Sequence, residues 1–418
     1  MIASAPSQHR HRFPGNSGRS WRWPLAFLTL LLCTLSVRAR EVKPPEVDSP
    51  AQVKPGDTAL LKQPASGMRY FLRVPKKYDP AKGARLIVFL HGSSMNGLEY
   101  LRSFESKKWG EEDLLCCPNG ENGTDPFGQN NFGFASAPLI AGVIEDVHKA
   151  FKTTVSYVGG HSQGAFVTYS LILNFPQLCQ GALPIAGDCW MQNEPNLWEE
   201  QPAVLAKQRE IPIVVIHGKA DPVVAFSQGE HAYECFRAMG WSKLRLMAPD
   251  RLDHRFMLSP VDEALEWLDA MNGRNEKKSL PLAAKWAKAD EWAWASHAVR
   301  SSKSSSAAAL QKSAEAAAAQ AIPVMTAAMK GKPADWVPQW MEFQRIFGTT
   351  QAAAPLVATY LEARRAELPK ANQLFRQWQS LTQAKKPDEA RKVLEELRDT
   401  APSTYWGFFA GKWLSQAK

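Results

Sequence analysis

The chain has 418 residues, of which 45% are hydrophobic, and its 50 basic and 41 acidic side chains give a net charge of +9 at pH 7. Five arginines fall in residues 1–39, so the rest of the chain has a small positive excess and we expect no nucleic-acid partner. Beyond residue 39 no stretch is apolar enough to span a membrane, and no cysteine or histidine group has the spacing of a zinc site. Neither a metal nor another cofactor is therefore expected.

The first 39 residues have the pattern of a secretory signal peptide. Four arginines precede an apolar stretch at 24–37, and Ala39 supplies a small residue before a cleavage point. The apolar stretch is shorter than the roughly 20 residues that a transmembrane helix needs. We expect a secreted or periplasmic protein, with an uncleaved membrane anchor as the alternative, and an N-terminal extension at 40–57.

The first clear strand is the apolar run at 84–90, which ends in His91-Gly92-Ser93. A continuous apolar run is typical of a buried parallel strand. The loop after such a strand can donate a backbone N–H group to an oxyanion, which makes the amide of Ser93 a candidate; an ordinary strand-ending turn is the alternative. A later apolar run precedes a polar loop at 118–133, where Phe132 is a candidate substrate contact.

The pentapeptide Gly160-His161-Ser162-Gln163-Gly164 lies between an apolar strand and an apolar helix. This pattern predicts a nucleophile elbow, in which Ser162 projects from a sharp turn and flanking glycines allow close backbone contact. The amide of Gln163, at the helix N-terminus, is the second candidate oxyanion donor. The pentapeptide alone is a weak signal, so its weight depends on the motifs on either side of it in the chain.

Two further loops supply a candidate acid and a candidate base. Asp221 comes after the apolar strand that ends in His217-Gly218, and His254 comes after a short strand at 244–247 and precedes a helix at 259–271. A carboxylate there can orient a histidine, although Asp221 could also merely cap its turn, and Asp250 and Asp253 are rival acids. Between the elbow and Asp221, the segment 190–210 lies where related folds insert a lid. Its Trp190 is a second candidate substrate contact, with packing on the sheet as the alternative.

The strings FLHG, GGHSQGAF, IPIVVIHGKADPVV and DH resemble, in this order, the α/β-hydrolase superfamily over about residues 58–272. They are most similar to its esterase branch, which includes phospholipase/carboxylesterases, dienelactone-hydrolase-like proteins and polyhydroxybutyrate-depolymerase or feruloyl-esterase-like enzymes. The resemblance implies a mainly parallel central sheet and a triad of Ser162, His254 and Asp221. One departure is that Asp253 precedes His254, where the family often has glycine.

The remainder of the chain differs in composition. Residues 273–330 read as an Ala/Ser-rich linker, partly helical, and residues 331–418 as an all-α C-terminal domain with a helical pair that resembles a tetratricopeptide unit. From residue 273 onward there are 22 basic and 13 acidic side chains, so this region could bind an anionic surface or a protein partner, or simply present solvated helix faces. Cys179 and Cys189 flank a predicted strand and could be bridged.

These observations predict a secreted serine esterase that acts on small-molecule or polymer-linked esters through an acyl-enzyme intermediate. A serine peptidase on the same fold is one alternative. A non-catalytic scaffold with a helical interaction module is the other.

Overall fold

The computed structural model describes residues 43–121, 123, 125–133, 136–189, 209–331 and 333–416. Within them, an eight-stranded sheet has the order β1-β2-β4-β3-β5-β6-β7-β8. The β1–β2 and β2–β4 pairs are antiparallel, and every pair from β4–β3 to β7–β8 is parallel. The strands are β1 (Thr58–Lys62), β2 (Arg69–Arg73), β3 (Ala84–Leu90), β4 (Leu114–Pro118), β5 (Thr153–His161), β6 (Gly181–Ile185), β7 (Ile213–Ile216) and β8 (Leu244–Met247).

Helices cover both faces of the sheet and then continue to the C-terminus. Those of the α/β region are α1 (Gly97–Glu105), α2 (Lys108–Glu112), α3 (Ser136–Ala150), α4 (Gln163–Asn174), α5 (Phe226–Ala238) and α6 (Leu258–Met271). Those nearer the C-terminus are α7 (Glu276–Ala287), α8 (Trp292–Ala298), α9 (Ser305–Ala328), α10 (Pro333–Phe347), α11 (Ala354–Gln383), α12 (Pro387–Thr400) and α13 (Tyr405–Gln416). None of the described helices is both long enough and apolar enough to cross a membrane.

The sheet is buried on both faces, which explains why its central strands read as continuous apolar runs. All seven residues of β3 are buried, and two separate hydrophobic clusters pack on the two faces of the sheet. The predicted class, an α/β-hydrolase fold with a mainly parallel sheet followed by helices, is confirmed.

The Ala/Ser-rich region is more regular than its composition indicated. It contains α7, α8 and the 24-residue α9, which begins at the N-cap Ser304 and buries Ala307, Ala314 and Ala318. Alanine has the highest helix propensity, and its small side chain lets a helix approach its neighbours closely. The boundaries of a linker at 273–330 and a domain at 331–418 stay predictions.

The C-terminal helices pack against the α/β region. Phe236 and Trp241 share one hydrophobic cluster with Trp340, Trp406 and Phe409 of α10 and α13. The predicted signal peptide at 1–39 and most of the predicted lid at 190–210, including Trp190, lie outside the described residues.

Candidate active site

Ser162 lies at the turn between β5 and α4 in a backbone conformation that favours glycine, with φ 54° and ψ −119°. The glycines on either side allow this turn because the backbone comes close there. A Cβ atom at Gly160 would lie 2.3 Å from the carbonyl oxygen of Gly164, and one at Gly164 would lie 2.3 Å from that of Leu90. The strained turn holds the hydroxyl of Ser162 above the carboxyl edge of the sheet.

The structure brings Ser162, His254 and Asp221 together from three separate loops. His254 Nε2 lies 3.0 Å from Ser162 Oγ, and its Nδ1 lies 2.7 Å from Asp221 Oδ2. The side chain of His254 is 19% exposed and that of Asp221 is fully buried. The ring can therefore exchange a proton with the hydroxyl on one side while the carboxylate fixes its tautomer on the other.

Asp221 is held as a carboxylate by its own loop. Burial tends to raise its pKa, but the hydrogen bond from His254 and those from the amides of Val223 and Val224, at 2.8 and 2.9 Å, hold the pKa below its ordinary value. The nearby ring of His217 donates through Nε2 to the carbonyl of Val224 at 2.9 Å, and burial lowers its pKa. Asp221 thus does more than cap a turn, since one oxygen caps the loop and the other faces His254.

The two rival acids pair elsewhere. Asp250 Oδ1 lies 2.8 Å from Lys219 Nζ, and Asp253 accepts hydrogen bonds from Arg255. Neither is the carboxylate that contacts the ring of His254. Asp253, which stands where the family often has glycine, therefore forms an ion pair with Arg255 at the surface.

The loop after β3 adjoins the nucleophile. A Cβ atom added at Gly92 would lie 3.5 Å from Ser162 Cβ. The next residue, Ser93, is exposed, and its amide donates to no acceptor among the described residues. Ser94 has a positive φ of 59°, and its amide donates to Asn131 Oδ1 at 3.0 Å. The amide of Ser93 therefore stays a candidate oxyanion donor.

The polar loop at 119–133 holds the β3 loop in place. The amide of Asn130 donates to the carbonyl of Met95 at 2.9 Å, and that of Gly120 donates to His91 Nε2 at 3.0 Å. The other nitrogen of His91 donates to the carbonyl of Gly92 at 2.7 Å. Burial lowers the pKa of His91 to about 4, so a neutral ring links the two loops through these hydrogen bonds.

Gln163 connects the elbow to the same polar loop through its side chain. Its Oε1 accepts from the amide of Phe132 at 2.9 Å, and its Nε2 donates to the carbonyl of Phe132 at 3.0 Å. Its own amide lies in the first turn of α4, where backbone N–H groups lack partners within the helix. The ring of Phe132 is 5% exposed and packs on His91 at 4.4 Å between centroids, so its substrate contact stays a prediction.

Sequence reasoning missed the role of His161. Its Nε2 donates to the carbonyl of His254 at 2.7 Å, so its Nδ1, 2.8 Å from the Tyr100 hydroxyl, accepts from that group. The same hydroxyl accepts from the amide of Gly92 at 3.3 Å. Burial lowers the pKa of His161 to about 4, which keeps this arrangement neutral. One chain of hydrogen bonds therefore joins the β3 loop, the elbow and the loop of the candidate base.

The cysteines beyond residue 39 are all buried free thiols, so Cys179 and Cys189 are not bridged to each other. Neither of them contacts Ser162.

Part of the chain is similar to known proteins. Residues 128–272 match the family model described as phospholipase/carboxylesterase. Acyl-protein thioesterase 1 of Candida albicans is 24% identical over 211 residues, which are 44% of this chain and 89% of the thioesterase. Among solved structures, acyl-protein thioesterase 2 of Zea mays is 22% identical with a TM-score of 0.39, covering 48% of this chain and 98% of that one. A thermostable esterase is 22% identical with a TM-score of 0.37, covering 50% of this chain and 61% of the esterase.

The resemblance to the α/β-hydrolase superfamily and its esterase branch is thereby confirmed. The sheet has the order of an α/β-hydrolase fold, and residues 128–272 resemble the phospholipase/carboxylesterase family.

Proposed function

We propose that the protein is a secreted serine hydrolase that cleaves carboxylic esters through Ser162, His254 and Asp221. The observation that carries this proposal is the continuous contact from hydroxyl to imidazole to carboxylate, at 3.0 and 2.7 Å. The family match supports the same reaction type.

The geometry supports a two-step reaction. Ser162 Oγ attacks the ester carbonyl while His254 Nε2 accepts its proton, and His254 then returns that proton to the leaving alcohol. Water attacks the acyl-enzyme in the second step, with His254 again the base. Asp221 stabilises the imidazolium that forms in each step, and its lowered pKa keeps it charged for this task.

The amides of Ser93 and Gln163 are proposed to stabilise the oxyanion. The first lies on the turn that adjoins Ser162, and the second begins α4, where the helix dipole favours negative charge. Losing one such donor typically lowers kcat about 10²–10³-fold.

The test compares the wild type with Ser162→Ala on soluble acetyl and feruloyl esters, an acyl thioester, a polymer-linked ester and a peptide. Ester turnover is expected in the wild type, with a loss on the order of 10⁶-fold in kcat for the variant. Labelling of Ser162 by a fluorophosphonate is the second measurement. An unreactive Ser162 in folded protein would favour the scaffold, and faster peptide than ester cleavage would favour the peptidase.

A further inference from the structure

A second group of reactive side chains lies at the edge of the α/β region, apart from Ser162. It consists of Cys189, just after β6, and of His231 and Cys235, which are one turn apart on α5. One ligand atom from each of the three residues lies within 4.8 Å of the other two. The mechanism proposed for ester cleavage uses none of them.

The imidazole of His231 is oriented by a carboxylate. His231 Nδ1 donates to Asp188, at 2.9 Å from Oδ1 and 3.1 Å from Oδ2. Its other nitrogen, Nε2, lies 3.5 Å from Cys235 Sγ. A histidine whose second nitrogen is held by a carboxylate is the usual arrangement of a metal-binding imidazole.

The donor atoms of the three residues lie close enough to share one ion after a side-chain rotation. With Zn–S bonds of about 2.3 Å and Zn–N bonds of about 2.05 Å, a sulfur and a nitrogen on one ion lie about 3.5 Å apart. In the structure His231 Nε2 lies 3.5 Å from Cys235 Sγ, but Nδ1 lies 3.8 Å from the same sulfur, so the sulfur lies beside the ring and its side chain has to rotate before both can bind one ion. Two thiolates and a neutral imidazole would also balance the charge of a divalent ion.

The surroundings are largely closed to solvent. Cys235 is fully buried and Cys189 is 4% exposed, whereas the side chain of His231 is 27% exposed and leaves a route from the surface. The hydroxyl of Tyr405, on α13, lies 3.4 Å from Cys235 Sγ, and the ring of Phe409 packs on that of His231.

We propose that Cys189, His231 and Cys235 form a site for a thiophilic divalent transition metal, with Zn²⁺ as its representative. Asp188 orients the imidazole, and binding releases the two thiol protons to solvent. The two sulfurs alone would suffice for a disulfide, but a disulfide gives no reason for the oriented imidazole between them. The ion would fix the loop after β6 to α5.

The experiment uses the full chain, purified under reducing conditions, stripped with a chelator and then supplied with Zn²⁺. Elemental analysis is expected to find about one zinc ion per chain. With Co²⁺ instead, thiolate-to-cobalt charge-transfer absorption is expected in the near ultraviolet, and Cys189→Ala or Cys235→Ala should weaken it. Cys179→Ala, at a buried free cysteine outside the cluster, is the matched control and should bind like the wild type.

Asp188→Asn should retain the ion with roughly 10–100-fold weaker affinity, because it alters only the support of His231. If circular dichroism shows that a cysteine variant fails to fold, metal binding is tested with Asp188→Asn and with the cobalt spectrum of the wild type. Ser162→Ala should bind zinc normally, so the metal site and the proposed esterase activity can fail separately. The proposal is overturned if zinc content does not exceed that of the double cysteine variant, or if zinc-treated protein carries a 189–235 disulfide.

Discussion

At the residue scale, His161 lies beside the proposed nucleophile, Ser162, but contacts the loop of the proposed base, His254. Its ring ties the carbonyl of His254 to the hydroxyl of Tyr100, which in turn contacts the amide of Gly92. The group next to Ser162 in sequence thus positions the two loops that the proposed reaction needs. We regard Tyr100 and His161 as positioning residues, because they act through His254 and the β3 loop.

Replacing Tyr100 by Phe tests this arrangement. Loss of the hydroxyl removes the acceptor for Gly92 and the donor to His161, each worth about 0.5–1.5 kcal/mol. We expect kcat to fall roughly 5–30-fold with a smaller change in KM, since geometry at the reacting atoms is affected more than substrate binding. Steady-state kinetics on a soluble ester provides the measurement.

Tyr78→Phe is the matched control for that variant. Its hydroxyl accepts from the amide of Lys152 at 2.7 Å, on a part of the chain remote from Ser162. It should lower the unfolding midpoint without changing kcat. If Tyr100→Phe also lowers the unfolding midpoint and leaves kcat unchanged, Tyr100 contributes to stability alone.

The sequence indicated the three candidate catalytic residues that the structure brings together, but not the residues that support them. Ser162 lies within a local pattern, and the strand order then limits which acid and base can reach it. The contact of His161 with His254 and that of His231 with Asp188 join distant parts of the chain. No local spacing encodes such contacts, because they depend on how the loops close over the sheet edge.

At the element scale, α8 is held against the end of α6 partly by a histidine that stays neutral in the folded protein. His297 donates through Nε2 to the carbonyl of Met271, at the end of α6, at 3.1 Å. Burial, followed by the positive charges of Lys243 and Arg300, lowers its pKa to about 3 from the ordinary 6.5. His297 therefore stays neutral in the folded state at pH values at which it is protonated in the unfolded chain.

This shift predicts a loss of stability in acid. Because the folded pKa lies below the unfolded one, the contribution of His297 is complete above pH 6.5 and is lost as the pH falls towards 3. His297→Gln keeps a donor for Met271 but cannot titrate, so its free energy of unfolding should fall less steeply below pH 6.5. The difference should approach at most about 1.4 kcal/mol per pH unit.

Urea unfolding at several pH values between 4 and 8 measures both curves. The two proteins should have parallel curves above about pH 7 and converge or cross below it. Curves that stay parallel down to pH 4 would mean that the pKa of His297 is the same in the folded and the unfolded protein.

Element boundaries in the α/β region were predictable because burial on both faces forces apolar runs. The expected helix at 259–271 is α6, and the expected strand at 244–247 is β8. Composition was a poorer guide in the Ala/Ser-rich region at 273–330, where helix propensity and the packing of alanines order the 24 residues of α9. The predicted tetratricopeptide-like character of α11 to α13 stays a prediction.

At the scale of the whole molecule, the C-terminal helices share a core with the α/β region. Buried Arg364 of α11 donates to the carbonyl of Ala238, at the end of α5, at 2.9 Å. Lys412 of α13 pairs with Glu234, and Arg237 pairs with Glu342 of α10 at 3.1 Å. Some of the basic excess of this region is therefore engaged internally, while binding to an anionic surface stays a prediction.

Removing residues 331–418 should therefore damage the α/β region itself. The truncated chain would expose the apolar surface around Phe236 and Trp241 and lose the partner of the Ala238 carbonyl. We expect poor solubility, strong binding of a hydrophobic dye and little fluorophosphonate labelling. In the full chain, tryptophan fluorescence and labelling of Ser162 should be lost together in one urea transition, because both regions unfold as a unit. A soluble 1–330 fragment with normal labelling would instead show that the α/β region folds without residues 331–418.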